Sequence, residues 1–157
     1  MRVLVQRVTR ARVTVDEETT GEIGPGFLLL VGVTLEDTAA AADLLARKVA
    51  NLRVFDDGDG NLNRSALDLL EAGEPIGMLV VSQFTLYADV RRGRRPGFTD
   101  AALPDAAVPM LDRFVERLRS KGTPVETGRF GADMAVELVN DGPFTLLLDS
   151  ERDLADR

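Results

Sequence analysis

Residues 27–33 of the chain read Phe-Leu-Leu-Leu-Val-Gly-Val, a continuous apolar run with the length of one β-strand. A strand with one face in water alternates apolar and polar residues, whereas an unbroken apolar run is typical of a strand covered on both faces. The run therefore predicts a buried strand with further layers of structure packed against it.

The segments on either side of this run show strand and helix patterns in turn. Residues 2–15 predict a strand, because Val3, Val5, Val13 and Val15 alternate with mostly polar neighbours. The other predicted elements are a turn region at 16–26, a helix from an N-cap at Thr38 to about residue 51, a short strand at 52–55, a strand at 78–86, a helix at 105–121, and strands at 134–139 and 144–148. This order predicts one mixed α/β domain over residues 1–149, with two main helices against a sheet and a second sheet layer, followed by a polar, frayed tail over residues 150–157.

Two missing residue types exclude several kinds of catalytic site. The 157 residues include no His and no Cys. The chain therefore has no Ser-His-Asp triad, no imidazole base, no thiolate nucleophile and no cysteine-based zinc or iron–sulfur centre. Only Lys48 and Lys121 could form a Schiff base, and a metal would need an all-oxygen site. If the protein is an enzyme, its proton transfers depend on carboxylates, Tyr87, water, backbone groups or the substrate.

The charge and the hydropathy pattern limit the partners. The net charge is −7, which argues against a protein that coats nucleic acid through positive charge. No apolar run is long enough to cross a membrane, and the first residues lack the apolar core of a signal peptide. We therefore expect a soluble, cytoplasmic protein.

Several familiar ligand motifs are incomplete. The acidic segment 56–61 resembles a calcium loop in composition but lacks the spacing of an EF-hand, so we interpret it as a solvated turn. The glycine pairs at 24–26 and 58–60 lack the third glycine of a dinucleotide-binding fingerprint, and no P-loop is present. Nucleotide binding through either fingerprint is therefore not predicted.

Arg91, Arg92, Arg94 and Arg95 form the one dense positive segment of the chain. Such a segment is either a solubilising surface loop or a contact for phosphate, which the planar guanidinium binds through two hydrogen bonds. On an acidic protein, a short arginine loop fits a local phosphate contact better than a long nucleic-acid footprint. Both interpretations are open on the sequence alone.

Two short motifs combine polar residues with a strand. Ser82-Gln83-Phe84-Thr85-Leu86 follows a strongly apolar strand, either as its continuation or as a cluster of hydrogen-bonding groups at a strand end, where α/β folds commonly bind ligands. A hydroxyl there could act as a nucleophile only beside a base, whereas backbone N–H groups could form an oxyanion hole. Asn140-Asp141-Gly142-Pro143 predicts a turn between two strands, and its proline allows a cis bond.

Together, the two motifs resemble those of the D-aminoacyl-tRNA deacylase family, historically called D-tyrosyl-tRNA deacylase. The likeness covers residues 1–148, and it extends to Gln6-Arg7-Val8 with Ala11 and Val13, to segments 21–24, 31–33 and 52–55, to Arg95-Pro96, and to Thr127-Gly128-Arg129-Phe130 with Met134. The resemblance implies a homodimer of three-layer β/β/α subunits with mostly antiparallel or mixed sheets. It implies hydrolysis of the ester between a D-amino acid and the terminal adenosine of tRNA, and removal of glycine from mischarged tRNA. It implies no metal or organic cofactor, and neither DNA nor a membrane as a partner.

The resemblance also assigns roles to the first motif. Ser82, Gln83, Phe84 and Thr85 would line the catalytic pocket, and the amides of Phe84 and Thr85 would face the scissile carbonyl. The predicted contacts with tRNA phosphate are Arg91, Arg92, Arg94 and Arg95.

The second motif carries the stereochemical role that the resemblance implies. Gly142 and Pro143 match the family's Gly-cisPro element, which enters the active site of the partner subunit. Its carbonyl groups would bind the α-amino group, and its main chain would exclude an L side chain. Arg7 would hold this element across the dimer interface, and Met134 would flank the terminal adenosine.

Two mechanisms and two further functions compete with one another. Thr85 could be a nucleophile that forms an acyl-enzyme, although the chain offers no evident base. Alternatively, the site positions an already activated ester beside oxyanion donors while the 2′-hydroxyl of the terminal ribose helps water to attack, and we favour this mechanism. A non-catalytic dimeric RNA-binding protein on the same fold is the alternative function. A small-molecule hydrolase with a carboxylate base would need paired carboxylates, which the sequence does not show.

Overall fold

The apolar run at residues 27–33 forms a buried strand, as predicted, and this strand lies in the middle of the sheet. In the computed structural model, which describes residues 1–153, most of the run belongs to strand β3 (Gly26–Gly32). β3 pairs antiparallel with β1 (Arg2–Val15) and parallel with β6 (Gly77–Ser82), and its side chains are almost all buried. The alternating valines of β1 are buried as well, which confirms the strand predicted at 2–15.

The remaining elements follow in chain order. They are β2 (Glu18–Ile23), α1 (Ala39–Asn51), β4 (Phe55–Asp56), β5 (Leu62–Arg64), α2 (Ala66–Glu71), a 3₁₀ turn (Phe84–Tyr87), α3 (Pro104–Arg119), β7 (Val125–Thr127), β8 (Ala135–Asp149) and α4 (Ser150–Asp153). Five strands of the main sheet have the order β2-β1-β3-β6-β7, β8 also pairs with β1, and β4 and β5 form a separate small sheet. None of the helices between residues 1 and 153 is long and apolar enough to span a bilayer.

The main sheet bends back on itself and creates two apolar cores. β2 pairs with β1 and also lies against β6 and β7. The smaller core fills the inside of this bend, between β1 and β2 on one side and β3 and β6 on the other, and includes Val8, Val13, Ile23, Leu79 and Val81. The larger core lies between the sheet and the helices. The predicted mixed α/β domain with layered sheets and two main helices, α1 and α3, is confirmed.

The two main helices pack beside each other, and an ion pair joins them at the surface. Thr38 is the N-cap residue of α1, although its side chain makes no capping hydrogen bond. Asp43 of α1 accepts hydrogen bonds from Arg113 and Arg117 of α3, with N···O distances of 2.7 and 2.9 Å. The hydrogen bond from Arg113, supported by Arg117 and opposed by burial, lowers the pKa of the Asp43 carboxyl to about 2.

The turn predicted over residues 16–26 is wrong for most of its length. Asp16 and Glu17 turn the chain, with φ angles of 48° and 65°, and Gly24 and Pro25 bend it again before β3, whereas β2 occupies the residues between them. Gly21 lies within β2, where a Cβ would be 2.7 Å from the carbonyl oxygen of Thr127. This glycine allows β2 to approach β7 closely and does not form a turn.

Four strand predictions are corrected as well. The strand predicted at 78–86 ends at Ser82, because the 3₁₀ turn follows. Phe84 and Leu86 have the alternating spacing of a strand, but the Phe84 side chain is 56% exposed. The strands predicted at 134–139 and 144–148 form one strand, β8, with a bulge. The short strand predicted at 52–55 is limited to β4.

The predicted elements include neither α2 nor β7, and the fraying predicted from residue 150 begins too early. The signal for α2 was present, because Ser65 and Asp68 form a capping box in which each side chain accepts from the other backbone amide. At the predicted tail, residues 150–153 form α4, in which Ser150 is buried and donates its amide to the carbonyl oxygen of Met1 at 2.9 Å. The rest of that tail, residues 154–157, lies outside the described residues.

Candidate active site

The first motif forms the end of β6 and the turn that follows it. Ser82 pairs with Val31 at the end of the β3–β6 ladder, and the Gln83 amide donates to the Val31 carbonyl oxygen at 2.8 Å. The 3₁₀ turn then lies directly on Gly32, where a Cβ would be 3.0 Å from the Gln83 carbonyl oxygen and 3.1 Å from Leu86 Cβ. A glycine at position 32 therefore lets the turn pack against the main chain of β3.

The 3₁₀ turn begins with two backbone N–H groups that have no partner. The Leu86 amide donates to Gln83 at 3.2 Å and the Ala88 amide to Thr85 at 3.1 Å. Within residues 1–153, the amides of Phe84 and Thr85 donate to no protein acceptor. This follows from their position, because the first N–H groups of a helical turn have no preceding carbonyl within the turn to bind. Adjacent free amides can stabilise an oxyanion.

Two cavities meet at this strand end. Ser82, Gln83, Phe84 and Gly131 line both of them. The larger cavity, of about 370 Å³, is mainly apolar, and its walls include Phe98, Leu103, Ala107, Leu111 and Phe130. The smaller one, of about 340 Å³, is also lined by Ala132, Asp133, Met134 and Val136. An ester bound where the cavities meet therefore has room on both of its sides.

Thr85 lies at the edge of this site. It lines neither cavity, and its hydroxyl oxygen accepts a hydrogen bond from Gln83 Nε2. In the described chain, Gln83 is the one side chain that hydrogen-bonds to this hydroxyl. A carboxamide is not a base at neutral pH, so the structure places no base beside Thr85.

Met134 lines the smaller cavity and is positioned by a glycine. A Cβ at Gly128 would lie 2.6 Å from Met134 Sδ, so the methionine occupies the space that a side chain at position 128 would need. The resemblance predicts Met134 beside the terminal adenosine but assigns no role to the aromatic walls. Phe98 packs edge-on against Phe84 with ring centroids 5.0 Å apart, and Phe130 lines the larger cavity. Both residues lie in irregular segments, where no periodicity predicts which side chains are exposed.

The second motif forms a bulge in β8. Regular pairing with β1 stops after Asn140 and resumes at Thr145, so the bulge (residues 141–144) lies opposite Arg7 alone. Asn140 Nδ2 donates to the carbonyl oxygens of Arg7 and Phe144, at 2.9 and 3.2 Å. These two hydrogen bonds close the base of the bulge.

The bulge projects its central residues into solvent. The peptide bond between Gly142 and Pro143 is cis, and both residues are exposed. A Cβ at Gly142 would have a single neighbour within 4 Å, Asn140 Oδ1 at 3.5 Å. Neither Gly142 nor Pro143 lines either of the two cavities. One chain, over its described residues, therefore does not bring the two motifs together.

Arg7 holds the bulge of its own chain. Its Nε donates to the Asp141 carbonyl oxygen at 3.2 Å and lies 3.1 Å from the Asp141 carboxylate. Its guanidinium carbon lies 4.2 Å from the centroid of the Phe144 ring, and another N–H donates to the Val54 carbonyl oxygen. The resemblance implies a contact across a dimer interface, whereas these contacts are all within one chain.

The arginine segment is a loop closed by Asp89 and Gly97, whose backbone groups exchange hydrogen bonds at 2.7 and 2.8 Å. Arg91 binds the Asp89 carboxylate through Nε and Nη2, each at 2.8 Å, and these hydrogen bonds hold the pKa of that carboxyl well below its usual range. Arg91 therefore stabilises the loop. The other three arginines of the segment form no ion pair with the residues that the structure describes.

Comparison with known proteins assigns the family. A family model described as D-Tyr-tRNA(Tyr) deacylase matches residues 4–149, a span that contains both motifs. The chain belongs to the D-Tyr-tRNA(Tyr) deacylase family. The resemblance predicted from the two motifs is thereby confirmed, and so is the predicted class of enzyme, an ester hydrolase.

Relatives of this deacylase family match the chain over nearly its full length. A D-aminoacyl-tRNA deacylase from Symbiobacterium thermophilum is 62% identical over 152 residues, which are 97% of each chain. A D-aminoacyl-tRNA deacylase from a Roseiflexus species is 59% identical and covers 96% of this chain and 94% of its own. Among solved structures, one described as c-Myc DNA Unwinding Element Binding Protein is 41% identical, covers 96% of this chain and 99% of its own, and has a TM-score of 0.87. The span matched by the family model therefore includes both motifs and all the residues that line the two cavities.

Proposed function

We propose that the chain hydrolyses the ester bond of D-aminoacyl-tRNA and releases the D-amino acid and the tRNA. Membership of the deacylase family supports this reaction. The observation that carries the proposal is the pair of free amides at Phe84 and Thr85, because Phe84 lines both cavities and Thr85 follows it at their edge.

The two amides act as the oxyanion hole. When water attacks the ester, the carbonyl oxygen takes up negative charge. N–H groups that are already fixed near this oxygen need no reorganisation as the charge develops, and each such donor contributes on the order of 10²–10³ in rate. Oxyanion stabilisation by the main chain suits a protein that has no His and no Cys.

Water is activated without a side-chain base. An aminoacyl ester is already reactive, so orientation and oxyanion stabilisation supply most of what the reaction needs. The 2′-hydroxyl of the terminal ribose lies next to the ester and assists the attack of water. Thr85 is not the nucleophile in this mechanism, because its one side-chain partner, Gln83, cannot take its proton. Met134 flanks the terminal adenosine from the smaller cavity.

Stereochemical selection comes from a second subunit. Gly142 and Pro143 lie outside both cavities of their own chain, so we place them in the active site of a partner within a homodimer. Their carbonyl oxygens bind the α-amino group, and their main chain occupies the space that an L side chain would need. The contacts of Arg7 and Asn140 support this role, because they hold the bulge in one shape.

Main-chain exclusion explains both the strength and the breadth of the selection. An apolar pocket that differs by one methylene discriminates only about 10- to 200-fold, whereas fixed main chain cannot move aside as a side chain can. A D side chain points away from the element, so many D-amino acids are accepted. Glycine has no side chain to exclude, so glycine mischarged on tRNA is removed as well.

The free edge of β8 supports the homodimer. β8 pairs with β1, and no other strand within residues 1–153 covers it. Val139 and Leu147 on this strand are 41% and 39% exposed. An exposed strand edge with apolar side chains is a ready surface for a second copy of the chain.

The experiment that tests the function compares mirror-image substrates. The same tRNA is charged with the D and the L form of one amino acid, and release of the amino acid is measured with and without protein, since these esters also hydrolyse spontaneously. We expect rapid release of the D form and no acceleration for the L form. Equal acceleration for both would contradict the selection. Binding of both without release would favour the alternative function, a non-catalytic dimeric RNA-binding protein.

A further inference from the structure

Arg2 joins the 3₁₀ turn to the end of β8. Its Nη1 donates to the carbonyl oxygen of Leu86 at 2.8 Å, and its Nε donates to Asp149 Oδ2 at 2.8 Å. Arg2 and Asp149 are partners in the β1–β8 ladder, so the guanidinium and the carboxylate are both carried by the sheet. Leu86 follows Thr85 directly, so the connection ends one residue from the free amides.

Stacking also fixes the guanidinium. Its central carbon lies 4.5 Å from the centroid of the Tyr87 ring, within the range of a cation–π contact. Tyr87 ends the turn and is buried, at 7% exposure. Arg2 therefore contacts two consecutive residues of the turn, Leu86 through the main chain and Tyr87 through the side chain.

Asp149 is itself held in one orientation. Its second oxygen, Oδ1, accepts the Glu151 amide of α4 at 3.0 Å. Burial raises the pKa of the Asp149 carboxyl, but the hydrogen bonds from Arg2 and from the Glu151 amide outweigh this effect and leave the pKa below its ordinary value. Asp149 is therefore ionised at neutral pH and presents a fixed carboxylate to Arg2.

We propose that Arg2 is a positioning residue for ester hydrolysis, which fixes the 3₁₀ turn so that the amides of Phe84 and Thr85 point at the substrate carbonyl. This inference rests on the proposed function. Arg2 lines neither cavity and does not have to touch the substrate. A displacement of about 1 Å at a catalytic group can cost about 100-fold in rate, so a looser turn stabilises the oxyanion less well. Loss of Arg2 therefore lowers turnover, whereas substrate binding depends on walls formed by other residues.

The test compares three variants in the full-length protein. Arg2→Gln removes the charge and the planar fork, and Arg2→Lys keeps the charge but cannot donate to both partners in the same geometry. The matched control is Arg12→Gln, which breaks an ion pair with Glu137 between the same two strands at the other end of β1. With D-aminoacyl-tRNA, we expect Arg2→Gln to lower kcat about 10- to 100-fold with KM within about twofold. We expect kcat of Arg2→Lys to lie between those of Arg2→Gln and the wild type. Arg12→Gln should have the same kcat and KM as the wild type.

Two further measurements separate positioning from general stability. Amide hydrogen exchange at Leu86 and Ala88 reports the order of the turn, and we expect it to accelerate in Arg2→Gln and to stay unchanged in Arg12→Gln. Asp149→Asn should lower kcat little further when it is combined with Arg2→Gln. Both substitutions remove the same connection, and the effects of coupled residues are not additive. If Arg2→Gln fails to fold, Arg2→Lys and its hydrogen exchange carry the test.

The outcomes distinguish this inference from the proposed function. Unchanged kcat in Arg2→Gln, or a loss confined to KM, would overturn the positioning role while wild-type hydrolysis still supports the function. An equal loss in Arg12→Gln would also overturn it, because the effect would then come from β1–β8 pairing in general. A wild-type protein that hydrolyses no D-aminoacyl-tRNA would overturn the proposed function itself.

Discussion

Arg7 Nε lies 3.1 Å from the carboxylate of Asp141 and 3.2 Å from its carbonyl oxygen, and both residues belong to the same chain. The Phe144 ring lies against the same guanidinium. These contacts within one chain shape the bulge of β8 without a second subunit. The proposed selection depends on such a preformed shape, since an element that must be ordered on binding would exclude an L side chain less strongly.

Gly142→Ala should leave the fold intact and impair the reaction. Within its own chain, the added methyl group would meet only Asn140 Oδ1, at 3.5 Å. In the partner's active site, it would occupy space meant for the substrate, and a misfit of one methyl group costs about tenfold or more. Thermal unfolding should therefore match the wild type while release of the D-amino acid falls. Unchanged release would place the bulge outside the site.

Mixed dimers should reveal that the bulge acts on the partner. Ser82→Leu fills the point where the cavities meet, and Gly142→Ala damages the bulge. Each variant alone should keep at most about a tenth of the wild-type activity. A dimer of one chain of each kind should recover about half of the wild-type activity, because one of its two sites has an intact pocket and an intact bulge. If the bulge served its own chain, the mixed dimer would be no more active than the variants alone.

Thr85→Ala should keep substantial activity. The substitution removes the hydroxyl but keeps the backbone N–H that the mechanism uses. A tRNA that ends in 2′-deoxyadenosine should lose most of the reaction, because the group that assists water is missing. The reverse pattern, measured as single-turnover release, would identify Thr85 as the nucleophile.

Replacing both Arg94 and Arg95 with Gln should raise KM for tRNA and leave kcat unchanged. Each lost phosphate contact should reduce the steepness of log(kcat/KM) against log salt by about 0.7 to 0.9. Arg47→Gln, an exposed arginine on α1, is the matched control. An equal salt response in both variants would show that this loop contacts no phosphate.

Asp43→Asn should destabilise the protein at neutral pH but not in strong acid. The folded-state pKa of Asp43 is lowered to about 2, so the carboxylate contributes stability above its unfolded pKa near 4 and loses it as the pH falls through about 2. The pair is partly solvated, so we expect a difference of at most about 1 kcal/mol at pH 7. Urea unfolding at pH 7 and pH 2 measures it, and an equal difference at both would rule out this ion pair as the cause.

Elements whose burial leaves a local hydrophobic pattern could be predicted from the sequence. The unbroken run in β3, the alternating valines of β1 and the helical spacing in α1 each record which side chains face a core. The two motifs were recognised by resemblance, and their residue types alone left several interpretations open.

The parts that long-range contacts determine could not be predicted. Position 21 requires a glycine within β2 because a Cβ there would meet a carbonyl oxygen more than 100 residues away, at Thr127. The 3₁₀ turn forms where Gly32 lets it pack on β3, and the bulge forms where Arg7 holds residues 141–144. No local pattern contains this information, so the sequence predicts candidate site residues without showing their geometry.

In the proposed mechanism, the groups that the 3₁₀ turn offers to the substrate are peptide N–H groups, which every amino acid except proline supplies. A saturation library should therefore tolerate many side chains at Thr85 and still reject side chains at Gly32, which would push the turn out of place. Substitutions that inactivate the protein should then fall among the residues that support the turn. A search for invariant reactive side chains would not find these positions.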